Sequence, residues 1–224
     1  MDLLFTPAKL GTCELKNRIV RSATNGHLSD EKGQVTPLWA DTLIELAKNE
    51  VGLVITGHFC VDKMQRADAD QPVLDETTDE SLLRRACDGV HRYGGKLFFQ
   101  LSHSGIKGVE SVNGAPPKHP EDFTREELDR LVEQFAFAAK KCKESGVDGA
   151  EVSGIDFNRR AGQKTPFYLD ALICEPDFAA KLKSGAQDGS KCLACNGCYT
   201  IYRKRFVRCV QHQDEIEQFK TIPW

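Results

Sequence analysis

Four cysteines late in the sequence have a spacing that can hold a metal. Cys192, Cys195 and Cys198 are each separated by two residues, and Cys209 follows after ten more. Four thiolates at this spacing suit an iron–sulfur cluster or zinc, and free or disulfide-linked thiols are the alternative. A thioredoxin-like redox motif is disfavoured because the strand-to-helix context is lacking.

A second group of chemically interesting residues stands where apolar runs end. Gln100 closes such a run, and a carboxamide there costs free energy unless it is hydrogen-bonded, so it predicts a backbone or ligand partner. Gly57 either ends a strand or lets another group approach the backbone closely. His103 is a candidate catalytic residue or a supporting loop histidine, and we expect His27 and His58 to lie in loops.

The elements that would position these residues alternate between strands and helices. Runs rich in β-branched residues and Phe predict four buried strands: Arg18–Ser22, Val51–Thr56, Lys96–Leu101 and Val147–Val152. Helical spacing predicts four helices: Pro37–Lys48, Asp79–Tyr93, Thr124–Ser145 and Pro176–Lys183. The alternation indicates βαβ crossovers in a parallel sheet, covered by helices on both sides or closed into a barrel. Leu3–Leu15 predicts a short two-stranded lid before them.

The third of these helices carries the clearest end signals. Thr124 and Glu127 form the pattern of a capping box, and Gly146 is a typical carboxyl-terminal stop.

The composition is that of an ordinary globular protein. The 224 residues are 40% hydrophobic and 28% charged, with a net charge of −3. There is no basic excess to indicate nucleic-acid binding, and no run of about 18 apolar residues that could span a membrane. The first residues lack the pattern of a signal peptide, so we expect a cytoplasmic protein whose five scattered cysteines are reduced.

Three segments, in order, resemble one known family. They are Lys16–Asn25 with Gly33-Gln34-Val35-Thr36 after it, Val51–Gly57, and Gly94–Gly105. Together they resemble the Old Yellow Enzyme family of NAD(P)H:flavin oxidoreductases and ene-reductases, whose fold is a (β/α) TIM-type barrel. A later stretch, Leu172–Phe178 continuing to Cys198, resembles the part of the family that follows the last barrel strand.

The resemblance implies a cofactor and the residues that contact it. Flavin mononucleotide (FMN) would take hydride from NAD(P)H at N5 and pass it to an activated alkene or another acceptor. In barrels of this type the active site forms from loops at the carboxyl ends of the strands. The cofactor-binding residues implied are Ser22, Ala23, Thr24, Asn25, Gly57 and Gln100.

The sequence also departs from the family. A full barrel has eight strands and about 250 residues, whereas about four strands are recognisable here. Ser153 stands where the family has the first histidine of a substrate-binding motif, and no matching tyrosine follows. The phosphate-binding loops have no counterpart, so we expect weak FMN binding and negligible alkene reduction. Relatives that hold an iron–sulfur cluster after the barrel have one more residue between the second and third cysteines.

Two functional hypotheses follow. The first is an FMN-dependent oxidoreductase acting on a small molecule, built from a truncated barrel over residues 1–171 and a Cys-rich segment over 172–224. The second is a catalytically inactive half-barrel that serves as a binding or assembly module. Either version exposes two edges of a parallel sheet, which favour pairing with a second chain, so we expect a homo-oligomer.

Overall fold

A computed structural model describes residues 2–154 and 177–187 of the protein. The chain begins with a hairpin of two antiparallel strands, β1 (Ala8–Leu10) and β2 (Cys13–Leu15), as the sequence predicted. The four clustered cysteines, Cys174 and the predicted boundary between residues 171 and 172 lie outside the described residues.

A four-stranded parallel sheet forms the centre of the structure. Its strands are arranged in chain order: β3 (Val20–Arg21), β4 (Leu53–Cys60), β5 (Lys96–His103) and β6 (Gly149–Gly154). The helices that alternate with them are α1 (Pro37–Lys48), α2 (Glu80–Arg92), the single-turn α3 (Glu110–Asn113) and α4 (Arg125–Ser145). A last helix, α5, covers Phe178–Ser184. This is the βαβ order of a barrel, and within the described residues the sheet does not close.

Side-chain caps fix where the helices begin. The Thr36 hydroxyl accepts a hydrogen bond from the Trp39 amide, and the Asp79 carboxylate accepts one from the Ser81 amide. At α4 the predicted capping box is present, with Thr124 and Glu127 each bonding the other's backbone amide. Gly146 ends α4 in the left-handed conformation at φ 89°, as expected for a glycine stop.

The hydrophobic core lies between the sheet and its helices. The rings of Trp39, Phe59 and Phe99 pack together, with centroids 5.0 to 5.9 Å apart. Leu101 is fully buried in the same cluster. Because side chains alternate along a strand, Gln100 and Ser102 on β5 point to the opposite, concave face of the sheet. The face that carries the core and the face that carries polar groups are therefore distinct.

Two peripheral elements attach to the amino-terminal ends of the strands. The Lys16 ammonium donates to the carbonyl oxygens of Ala47 (3.1 Å) and Tyr93 (2.8 Å), at the ends of α1 and α2. This contact holds the β1–β2 hairpin at the amino-terminal ends of the strands, away from the predicted site at their carboxyl ends. Helix α5 buries Phe178, Ala179 and Leu182 in the core, and Lys183 of the same helix pairs with Glu50 at 3.0 Å.

The bounds of all four predicted strands differ from the structure. Strand β3 contains only Val20–Arg21, because the chain leaves the sheet at Ser22. Strand β4 runs on to Cys60 beyond an irregularity between Ile55 and His58, after which pairing with β5 resumes. The prediction that His58 lies in a loop is therefore wrong.

The described cysteines and helices bear on two further expectations. Cys13, Cys60, Cys87 and Cys142 are free thiols, and all except Cys13 are buried. No helix in the described part of the chain is long and apolar enough to cross a membrane.

Candidate active site

The carboxyl ends of β3, β4 and β5 meet at one edge of the sheet, which is where the sequence predicted a site. Residues 22–25 leave β3 and cross directly over Gly57 of β4. A Cβ added to Gly57 would lie 2.7 Å from the Thr24 carbonyl oxygen and 2.8 Å from the Asn25 Cα. The glycine is thus required by packing of the chain itself, a reason that the resemblance did not supply. Three of the predicted cofactor-binding residues are brought together by this contact.

Asn25 presents a hydrogen-bond donor that the described residues do not satisfy. Its Oδ1 accepts the His27 backbone amide at 3.1 Å, which fixes the orientation of the carboxamide. Its Nδ2 is buried and has no hydrogen-bond partner among the described residues. A buried donor without a partner costs about 1–3 kcal/mol, so an external acceptor at this position would be stabilising.

The residues before Asn25 are held by local hydrogen bonds. The Arg21 guanidinium donates to the Thr24 hydroxyl, which itself donates to the Ser22 carbonyl oxygen at 3.1 Å. Ser22, Ala23 and Thr24 are half-buried. The hydrogen bonds fold this segment into a compact turn, so its backbone is ordered before any ligand arrives.

Gln100 finds its partner on the neighbouring strand. Its Nε2 donates to Glu151 Oε1 at 3.1 Å, and its backbone amide donates to the Thr56 hydroxyl at 3.2 Å. Its side-chain oxygen makes no hydrogen bond within the described residues and remains an acceptor for an incoming N–H group. Sequence reasoning missed Glu151; the signal was the β5–β6 register, in which Gln100 lies opposite Glu151.

His103 closes β5 in a supporting arrangement. Its Nδ1 accepts the Gly105 backbone amide at 3.1 Å, and its ring packs edge-on against Phe123 with centroids 5.8 Å apart. Burial lowers the pKa of His103, an effect that Asp62 opposes. In its neutral form the imidazole carries its proton on Nε2, because Nδ1 accepts the Gly105 amide. A direct catalytic role for His103 stays a prediction.

Ser153 lies within β6, whereas the sequence predicted a strand that ends at Val152. It lies on β6, in register with Ser102 of β5, close to the carboxyl end of the strand. No group of three His, Cys, Asp or Glu side chains in residues 2–154 and 177–187 could hold a metal ion.

The ring edge of a flavin fits the groups that converge here. The flavin N5 and O4 atoms are acceptors and match the Asn25 donor, whereas its N3–H is a donor and matches the free oxygen of Gln100. A cavity next to Asn25 is lined by Thr56 and Gly57 of β4 and by Trp39 and Leu43 of α1, and Gln100 does not line it.

Comparison with known sequences gives the same family. A model of the NADH:flavin oxidoreductase / NADH oxidase family matches residues 3–156. The chain is 34% identical over 169 residues to a metal reductase of Desulforamulus reducens, which is 68% of this chain and 24% of that protein. It is 32% identical over 162 residues to an NADPH dehydrogenase of Bacillus licheniformis, covering 67% of this chain and 48% of that protein. The chain therefore spans less than half the length of either relative.

Solved structures confirm the fold class. An Old Yellow Enzyme homologue from Zymomonas mobilis superposes with a TM-score of 0.60 at 22% identity, over 66% of this chain and 47% of that one. Morphinone reductase in complex with tetrahydroNAD gives 0.58 at 20% identity, over 74% and 56%. The parallel sheet is thus part of a TIM-type barrel. With the family model covering most of the described residues, the chain belongs to the NADH:flavin oxidoreductase / NADH oxidase family.

Proposed function

We propose that this protein is an FMN-dependent oxidoreductase that passes hydride from NAD(P)H to a small-molecule acceptor. The observation that carries the proposal is the buried Asn25 Nδ2, which lacks a partner among the described residues at the carboxyl edge of the sheet. Bound FMN supplies the hydride chemistry at N5, and the protein holds the ring and tunes its electronics. Relatives named NADPH dehydrogenase and NADH oxidase support NAD(P)H as the co-substrate.

Each predicted residue has a distinct part in holding the ring. The backbone of Ser22, Ala23 and Thr24 would hold the edge of the ring, and Asn25 would donate to its N5/O4 side. Gly57 keeps the Thr24–Asn25 crossing close to β4, which would keep these groups in place. Gln100, oriented by Glu151, would accept from the N3–H of the pyrimidine ring. These assignments rest on the family resemblance and on the directions of free donors and acceptors.

The test is FMN binding to the full chain with one donor removed. Asn25→Asp keeps the oxygen that accepts the His27 amide and replaces only the unsatisfied donor. We expect its dissociation constant for FMN, measured by quenching of flavin fluorescence, to be at least roughly tenfold higher than that of the unmodified chain. Asn49→Asp is the matched control, because Asn49 caps α1 at the other end of the sheet. Equal binding by the Asn25 variant, or no binding by the unmodified chain, would contradict the proposal.

A second candidate function is assembly without catalysis. Strand β6 is the last strand of the described sheet. Two apolar side chains are largely exposed: Val152 of β6 at 69% and Val132 of α4 at 68%. Apolar side chains beside an open strand edge favour pairing with a second chain, so we propose a homo-oligomer. A purified protein that shows no flavin bands in its visible spectrum and binds no added FMN would favour this alternative.

We further propose that Cys192, Cys195, Cys198 and Cys209 bind an iron–sulfur cluster or zinc. Their spacing supports this assignment. Anaerobic purification followed by elemental analysis tests it, with stoichiometric iron or zinc expected and loss of the metal expected in Cys195→Ser. Absence of both metals under anaerobic handling would exclude it.

A further inference from the structure

Two buried polar side chains and one half-buried histidine form a cluster on the concave face of the sheet, and the proposed flavin contacts do not use it. They are His58 of β4, Ser102 of β5 and Gln71 from the loop that follows β4. His58 Nδ1 lies 2.6 Å from Gln71 Nε2 and 3.1 Å from Ser102 Oγ. Gln71 is fully buried and Ser102 is 1% exposed, so the cluster has a fixed geometry.

The cluster determines which nitrogen of His58 carries the proton. The Ala67 backbone amide donates to Gln71 Oε1 at 2.7 Å, and this contact fixes the orientation of the carboxamide. Gln71 Nε2, which can only donate, therefore faces His58 Nδ1. Because Nδ1 accepts this hydrogen bond, a neutral imidazole must carry its proton on Nε2.

The imidazole is neutral over the ordinary pH range. Burial, with a smaller contribution from nearby His27, lowers the pKa of His58 to about 4. His27 itself lies 2.7 Å from Asp70, a carboxylate at the protein surface. His58 is thus an uncharged hydrogen-bond donor at pH values well above 4.

The free donor of His58 lies next to the proposed flavin edge. His58 directly follows Gly57, which contacts Asn25, and it lies in register with Gln100. Register partners on parallel strands share a face, so His58 and Gln100 are on the same concave surface. Within the described residues Nε2 makes no hydrogen bond, and His58 is only half-buried.

We propose that His58 Nε2–H binds the carbonyl oxygen of a small, uncharged carbonyl substrate. A neutral donor in a half-buried position favours a neutral acceptor over a carboxylate, because a carboxylate bound there without a cation would lose solvation that nothing replaces. His58 would thus supply the site with a hydrogen-bond donor for the substrate. Ser153, which stands where the family has a histidine, has a side chain too short to supply it well. It deepens the proposed oxidoreductase function and rests on it for the identity of the ligand as a substrate.

Nitrogen NMR of the full chain labelled with ¹⁵N-histidine tests the proposal without turnover. Between pH 5.5 and 8 the His58 signals should show an unprotonated Nδ1 and a protonated Nε2. Addition of cyclohexenone, an uncharged carbonyl probe, should shift the Nε2–H proton of His58. His58→Phe should weaken cyclohexenone binding roughly fivefold to tenfold, the effect of one neutral hydrogen bond. His58→Asn, which retains an N–H donor, should recover part of the loss, and exposed His119→Phe is the control.

Each outcome has a definite meaning. A proton on Nδ1, or a charged imidazole at pH 7, would overturn the inference, as would cyclohexenone binding that is absent or equally tight in His58→Phe. FMN titration of the unmodified chain reports separately on the proposed function. If FMN binds but His58 does not respond to cyclohexenone, this inference fails alone. If FMN does not bind, the proposed function fails whatever the state of His58.

Discussion

The α-carbon of Gly57 faces the carbonyl oxygen of Thr24 so closely that an added Cβ would lie 2.7 Å from it. The obstructing atoms belong to the backbone, which cannot move aside as a flexible side chain can. Gly57→Ala must therefore displace residues 22–25 from β4. We expect a loss of about 1–3 kcal/mol in unfolding free energy, typical of overpacking, together with weaker FMN binding.

The matched control for this change is Gly26→Ala, in the same segment. Its Cβ would meet only the Leu28 side chain, at 3.2 Å, which can adjust. Urea unfolding followed by circular dichroism compares the two variants. Equal stability of both would show that the Gly57 contact is not tight in solution.

A half-buried carboxylate, Asp148, lies at the other end of the sheet and gives a pH-dependent prediction. Asp148 accepts hydrogen bonds from Lys96 Nζ (2.8 Å), His91 Nε2 (2.7 Å) and the Leu97 amide (3.0 Å). Burial raises the pKa of Asp148, but these hydrogen bonds outweigh it and hold the pKa below its usual range. The resulting stability is present above the unfolded pKa of about 3.9 and is lost as pH falls through the lower folded value.

Asp148→Asn removes this contribution. At pH 7 we expect it to lower the unfolding free energy by about 1 kcal/mol, since solvent screens a partly exposed pair. The difference from the unmodified protein should shrink as the pH falls below the unfolded value of about 3.9, and it should vanish once the pH is below the lowered folded pKa. Thermal unfolding across pH measures it, with exposed Asp129→Asn as control. A difference that stayed constant with pH would rule out the charge as its source.

The sequence predicted the regular elements well and the polar contacts poorly. The bounds of α1 agree residue for residue, because Thr36, Pro37 and the apolar spacing are local signals. The extension of β4 to Cys60 was missed, since pairing resumes beyond Ile55 only through contacts with β5, 40 or so residues away. The Gln71–His58 contact was equally inaccessible. It joins a strand residue to a residue in the middle of a loop. Nothing in the sequence around His58 or Gln71 predicts that the two side chains are paired.

Strand-end glycine and amide residues were found through the family resemblance rather than through their chemistry. The structure brings Thr24, Asn25 and Gly57 into contact, which spacing alone does not specify. It also shows that Gln100 Nε2 already donates to Glu151, which directs the carboxamide and leaves its oxygen as an open acceptor within the described residues. Which groups stay open depends on side-chain orientation across two strands, and a linear pattern does not specify that orientation.

The capping box of α4 predicts a simple stability effect. Thr124→Ala leaves the Glu127 amide without its hydroxyl acceptor at the start of a 21-residue helix. We expect a loss of about 1 kcal/mol in unfolding free energy, and recovery in Thr124→Ser, which keeps the hydroxyl. Urea unfolding measures both variants. A stable alanine variant would mean that water replaces the cap without cost.

The open side of the sheet predicts association. Val132 on α4 and Val152 on β6 are each more than two-thirds exposed, which is costly for apolar side chains in a monomer. We expect light scattering to give a dimer or larger species, and Val132→Glu to shift it toward the monomer. Lys140→Ala, on an exposed part of the same helix, should leave the mass unchanged. A monomer over a wide concentration range would refute the prediction.

The final prediction concerns alkene reduction, and it runs against the family's usual activity. Reduction of an activated alkene requires donors that stabilise the negative charge developing on the substrate carbonyl oxygen. It also requires an acid that protonates the alkene carbon. Ser153 lies near the end of β6, in register with Ser102 of β5. Its side chain is shorter than the histidine of the family motif and reaches less far.

Loss of one such donor typically lowers the rate by about 10²–10³, and loss of a general acid by a further ~10²–10⁴. We therefore expect negligible reduction of cyclohexenone with NAD(P)H and excess FMN, and at most slow NAD(P)H oxidation. The proposed His58 donor compensates only in binding. With a pKa of about 4 the imidazole is neutral at ordinary pH, so the charged form that could act as a general acid is scarcely populated. Ser153→His should raise the rate of alkene reduction above that of the unmodified chain, with Ser111→His on exposed α3 as control. Turnover by the unmodified chain near one per second, within the ordinary range for enzymes, would show that other groups supply the missing donor and acid.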